Sequence, residues 1–140
     1  MESYERRVRE SFARQRMMKT LGAELSAVRS GATEIRFPCT ASVSQQHGFV
    51  HAGAVTTVLD SACGYAALTV APEGFEVLTV EFKVNLLAPA TGELVIARAQ
   101  VKRAGKTLTI CTGDAFVLRP EGEKLVATML ATMINVPLER

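Results

Sequence analysis

The chain has 140 residues, of which 48% are hydrophobic and 21% charged, enough for one core and unlike a disordered or fibrous polymer. A net charge of +2 with no concentrated lysine–arginine block excludes a phosphate-backbone binder, so no nucleic-acid partner is expected.

Residues 3–20 predict an amphipathic helix, with Tyr4, Val8, Phe12 and Gln15 or Met18 near helical spacing. Its run of Arg6, Arg7, Arg9, Arg14, Arg16 and Lys19, mixed with Glu2, Glu5 and Glu10, reads as a solvated face. The opening MESYERRVRE has no apolar core, so no signal peptide is expected. Gly22 breaks the helical pattern, and residues 23–38 predict two short strands around Ser30-Gly31, the second burying Ile35 and Phe37. Residues 39–50 are polar and aperiodic, which predicts a loop of the kind that carries function beside a core element.

From Gly53 to about Ala71 the chain is apolar on nearly every side, the mark of a central helix wrapped by other structure. Asp60 in its middle argues against a membrane span, because a carboxylate in hydrocarbon is costly. Pro72 and Gly74 end the helix. Leu78, Val80, Phe82, Val84 and Leu86 then alternate with Thr79, Glu81, Lys83 and Asn85, predicting a strand with the first set buried and the second on the polar face. Residues 93–102 and 106–118 predict a hairpin around Ala104-Gly105, and residues 124–135 a last strand. The order predicts one α+β domain over residues 1–140, a long antiparallel meander curled around a buried helix. The last two strands carry Leu125, Ala127 and Met129 on one side and Val126, Leu130 and Ile134 on the other. Such two-sided strands call for cover, from the N-terminal helix and from a second copy of the chain.

Cys39, Cys63 and Cys111 form no CxxC pair and there are only two histidines, so no metal is expected, and reduced thiols in a cytosol fit best. Asp60 is the candidate catalytic carboxylate. The competing reading is a structural aspartate satisfied by the hydroxyls of Thr56, Thr57 or Ser61. His51 and Gly53 flank a helix start whose unpaired N–H groups and positive dipole end suit an oxyanion, although each residue alone is ordinarily just a cap. Ala52 and Asp60 are eight residues apart, roughly 12 Å along a helix. Oxyanion donor and attacking group must both lie about 3 Å from one carbonyl group. A single copy of the helix is too long to supply both, which predicts a composite site and two sites per dimer.

The stretch Gln45-Gln46-His47-Gly48-Phe49-Val50-His51-Ala52-Gly53, continuing through Thr57-Val58-Leu59-Asp60 to Gly64, resembles the core motif of hotdog-fold thioesterases. The likeness is to the phenylacetate-degradation (PaaI-type) and 4-hydroxybenzoyl-CoA thioesterase branch. Val80-Glu81-Phe82-Lys83, Ala88-Pro89-Ala90-Thr91-Gly92 and Arg103-Ala104-Gly105-Lys106-Thr107 extend it over residues 20–136. The resemblance implies a hotdog fold with an extra N-terminal helix, an acyl-CoA substrate and no cofactor. It implies Asp60 as the catalytic acid and the Ala52 backbone N–H as the group that polarises the thioester carbonyl. It further implies Gln45 as a side chain that helps hold that oxygen, and Thr79 as a hydroxyl that orients the acid or a water. The chain departs from the family at His-Ala-Gly, where His-Gly-Gly is usual. Arg103 and Lys106 are candidate contacts for CoA phosphates. A dimer or dimer of dimers is expected. Two alternatives stand beside hydrolysis: a hotdog acyl-thioester dehydratase or hydratase, and a non-catalytic acyl-CoA-binding module.

Overall fold

The computed structural model describes residues 1–138. Its elements are α1 (Ser3–Arg14), α2 (Arg16–Thr20), β1 (Glu24–Arg29), β2 (Ala32–Pro38), a 3-10 turn (Ala41–Val43), α3 (Ala52–Val70), β3 (Phe75–Leu86), β4 (Leu94–Ala104), β5 (Leu108–Arg119) and β6 (Gly122–Pro137). The strands form one antiparallel sheet in the order β1-β2-β4-β5-β6-β3, and α3 touches all six. Six strands can reach one helix only by curving around it, so the expected α+β hotdog architecture is what forms.

Small side chains permit the close approach. The buried row facing α3 includes Ala97, Ala99, Gly113, Ala115, Ala127 and Ala131, and the helix answers with Ala62, Ala66 and Ala67. A Cβ at Gly113 would lie 3.1 Å from Cys63 Sγ and 3.2 Å from Leu59 Cδ2. Thr33 Oγ1 donates to the Ala62 carbonyl at 2.7 Å, tying the helix to β2. Where helix and sheet approach this closely, even one added methylene is felt.

Three expectations need correction. The meander is β4-β5-β6 alone: β3 pairs with β6 at the far edge of the sheet and does not neighbour β4. Within β3 the alternation is not continuous. Thr79 stands opposite Met133 and Glu81 opposite Thr132, so Val80 is an extra residue. A bulge of this kind swaps the two faces. Before it, Val77 and Thr79 share the side of the buried Met133; after it, Phe82, Val84 and Leu86 take that side. Thr79 therefore faces α3 and not the polar side, and with no strand beyond the edge Leu78 is 59% and Phe82 43% exposed.

The third correction concerns the N-terminus. Gln15 is extended (φ −81°, ψ 104°), which divides the expected helix into α1 and α2. α1 packs on α3 and β1, and leaves Leu125 and Leu130 of β6 exposed. Arg7 is not solvated: its guanidinium donates to the carbonyls of Leu68, Ala71 (2.9 Å) and Pro72 (3.2 Å), at and just beyond the negative end of the α3 dipole.

Candidate active site

The start of α3 is held by His51, whose Nδ1 accepts the Gly53 N–H at 2.8 Å. An accepting Nδ1 leaves the proton of the neutral ring on Nε2. The His51 carbonyl takes the N–H groups of Ala54 (3.0 Å) and Val55 (3.3 Å). Of the first four helical N–H groups, only that of Ala52 has no partner among the described residues. Gly53 makes room for the cap, because a Cβ there would lie 3.0 Å from His51 Nδ1. Ala52 is unstrained, since no non-glycine residue among those described has a positive φ, so the departure from His-Gly-Gly leaves its N–H available.

Gln45 sits in the preceding loop, which Gly48 turns with φ +86°. Its N–H donates to the Phe49 carbonyl at 2.8 Å, and its Oε1 accepts the N–H groups of His47 (2.5 Å) and Phe49 (3.4 Å). The acceptor end of the amide is spent on the loop, which leaves Nε2 to donate outward. Gln45, His51 and Ala52 line a cavity of about 560 Å³ whose other walls include Phe49, Leu86 and Leu87.

Asp60 is half-buried and opens on a different cavity, of about 420 Å³, between α3, α1 and β3. Thr79 Oγ1 donates to its Oδ1 at 2.7 Å. None of the hydroxyls that a structural aspartate would use reaches it. Thr56 donates to the Ala52 carbonyl (2.8 Å), Thr57 to the Gly53 carbonyl (2.7 Å) and Ser61 to Gln15 Oε1 (3.1 Å). The carboxylate is thus fixed by one hydroxyl and otherwise faces open space. The thiols offer no competing nucleophile: burial pushes Cys111 up to about 12 and raises Cys39 and Cys63, Cys63 further through Cys111, Asp60 and Asp114.

The structure brings Thr79 to Asp60 and Gln45 to the Ala52–Gly53 helix start, and keeps the two groups apart. Arg103 and Lys106 are exposed at the β4–β5 hairpin. Leu108 beside them pairs with Ile134, which pairs with Leu78, so the hairpin lies at the Thr79 end of the sheet, two to three strands away. Gln15, Ser61 and Tyr65, which also line the Asp60 cavity, were not expected from the sequence. The available signal was Gln15 itself, a polar residue on the apolar stripe of the N-terminal helix.

Residues 47–122, more than half of the chain, match the thioesterase superfamily. The chain belongs to that family. The matched span holds His51, Ala52, Gly53, Asp60, Thr79, Arg103 and Lys106, while Gln45 falls just outside it. The chain is similar to the crystal structure of a thioesterase family protein from Silicibacter pomeroyi, with 49% identity and a TM-score of 0.95 over 97% of this chain and all of that one. It is similar in fold to the PaaI protein of the E. coli phenylacetic acid degradation operon, with a TM-score of 0.84 and 19% identity over 95% of this chain and 93% of that one. A Halobacterium salinarum protein with a provisional esterase name is 30% identical over 99 residues, 67% of this chain and 65% of that protein. That match reaches just under two thirds of the relative's length. Thioester hydrolysis is the reaction that membership of the thioesterase superfamily carries.

Proposed function

We propose that the chain hydrolyses acyl-CoA thioesters, without a cofactor, at composite sites of which a dimer has two. The substrate carbonyl oxygen lies against the Ala52 N–H and Gln45 Nε2 of one protomer. The partner subunit's Asp60, oriented by Thr79, acts from the other side. Asp60 either takes a proton from the water that attacks the carbonyl carbon or attacks the carbon itself. In the first course the C–S bond then breaks, and the departing sulfur takes that proton to leave as the CoA thiol. In the second CoA leaves, and water then hydrolyses the mixed anhydride to free acid and carboxylate, its second proton going to the CoA sulfur. Each donor aimed at the developing oxyanion is worth about 10²–10³ in rate.

One observation carries the reading: the unspent Ala52 N–H and the Thr79-held carboxylate open into different cavities although a single helix bears both. Two antiparallel copies of α3 bring them together. The exposed edge strand β3, with Leu78, Val80, Phe82 and Leu86, is the surface on which a second copy would be seated. Arg103 and Lys106 belong at the rim as contacts for CoA phosphates, and pairs of dimers are compatible with the exposed Leu125 and Leu130. We place the protein in the cytosol, where Cys39, Cys63 and Cys111 stay unpaired.

The test is free-thiol release from a panel of acyl-CoAs, with molar mass by light scattering on the same preparation. Thiol release by a dimer or tetramer is expected. Full activity in a monomer overturns the composite site, and no release from any thioester overturns the hydrolase reading.

A further inference from the structure

The cavity beside Asp60 contains a hydrogen-bond chain that chemistry at the carbonyl does not use. Ser61 Oγ donates to Gln15 Oε1 at 3.1 Å, Gln15 Nε2 donates to Tyr65 Oη at 2.8 Å, and Ser11 Oγ donates to the same oxygen at 3.3 Å. Every donor runs toward Tyr65, and the phenol's own proton has no acceptor among the described residues. Tyr65 is only 7% exposed, its ring fixed against Phe12 with centroids 5.8 Å apart. A nearly buried donor left unspent is unfavourable, so the arrangement suits a ligand that supplies the acceptor.

Room for that ligand comes from Gly64, one helical turn beyond Asp60. A Cβ there would meet nothing within 4 Å, so the glycine keeps the cavity open along its length. Asp60 and Tyr65 are five residues apart, roughly 7.5 Å along the helix axis. Arg14 of α1 and Glu76 of β3 bring opposite charges to the same cavity, which gives no preference for an anionic group.

We propose that this cavity receives the acyl group, and that Tyr65, positioned by Gln15, selects acyl groups bearing a neutral acceptor oxygen a few carbons from the thioester. The inference rests on the catalytic role of Asp60 proposed above. A plain hydrocarbon chain in the same place leaves the phenol donor unpaired, and an unpaired polar group in a site discriminates more strongly than a missing methylene.

The experiment compares levulinoyl-CoA with valeroyl-CoA, which differ by one ketone oxygen that accepts and cannot donate. Wild-type kcat/KM is expected to favour the levulinoyl ester about tenfold, the scale of one hydrogen bond. Tyr65→Phe removes the donor that the hydrocarbon leaves unpaired, so it should bring the ratio to about one, with valeroyl hydrolysis raised and levulinoyl hydrolysis lowered. Gln15→Leu, which keeps the phenol but frees it, should give an intermediate ratio, and it decides the matter should Tyr65→Phe fold poorly. Equal wild-type efficiency on the two esters overturns the inference, as does a Tyr65→Phe or Gln15→Leu protein that keeps the full preference. Either result with thiol still released leaves the hydrolase reading standing, whereas no release from either ester or any of the panel overturns both.

Discussion

At the N-terminus of α3 the group proposed to act is a backbone N–H; eight residues on, it is a side chain. The first is fixed by local structure, since the His51 cap, the turn at Gly48 and the Gln45 loop bonds all lie within a few residues of Ala52. Its identity as a backbone donor makes it indifferent to the methyl of Ala52. The second is fixed by distant structure. Asp60 is oriented by Thr79, which faces α3 only because Val80 is bulged against β6. A site built from backbone tolerates changes of side chain so long as its cap holds. A site built from a carboxylate and a bulged edge strand tolerates neither loss of the group nor a slip of register.

The largest effect should come from the carboxylate. Asp60→Asn keeps the size and removes the charge, and kcat should fall by ~10²–10⁴-fold or more, with the melting temperature level or raised. Poor folding with modest kinetic change would instead mark a structural aspartate. Thr79→Val keeps the shape and removes the orienting hydroxyl; kcat should fall about tenfold with KM little changed, since the bond to Asp60 is one charge-assisted hydrogen bond.

At the other end, Gly53→Ala crowds the imidazole that caps the helix. It should cost about 1 kcal/mol of stability, the usual worth of an N-cap, and lower kcat through the shifted Ala52 N–H, while Ala52→Gly should be nearly neutral in both. Denaturant melts and steady-state kinetics on the pair separate a side-chain role from a backbone one.

The smallest effect lies on the outer face of the sheet, remote from both groups. Burial alone would raise the Glu34 pKa, but hydrogen bonds from Ser26, Arg98 and Arg36 outweigh it and hold the carboxyl at about 2, below its ordinary 4.5. A carboxylate with a depressed folded pKa contributes stability above its unfolded value and loses it as pH falls through the folded one. The wild type should therefore lose stability between about pH 4.5 and pH 2 more steeply than Glu34→Gln, with turnover at neutral pH the same in both. A change in turnover would show that the outer face is coupled to the site.

What the sequence makes legible follows the same division between local and distant. The start of α3 is readable to within one residue of Ala52, and the Gln45–Gly53 motif marks one half of the proposed site, because both depend on neighbours in the chain. The bulge at Val80 depends on the register of Met133 and Thr132, some fifty residues on, and nothing in the alternation of β3 reveals it. Arg7 looks like one more charge on a solvated helix until the carbonyls of Leu68, Ala71 and Pro72, about sixty residues away, arrive beneath it. The pairing of Arg98 with Glu34 and Glu123 is hidden for the same reason, since it joins β2, β4 and the start of β6.

The composite site is tested most directly by complementation between protomers. An Asp60→Asn chain and a Gln45→Ala chain, carrying different tags, are refolded together and the hybrid dimer is isolated. Each homodimer has two damaged sites. In the hybrid, one site joins the intact Gln45 of the first chain to the intact Asp60 of the second, while both defects fall in the other site. Shared sites predict that the hybrid regains about half of the wild-type turnover per dimer, far above either parent. A hybrid with no more turnover than the mean of its parents would show that each chain supplies its own donor and acid, and would contradict the composite site.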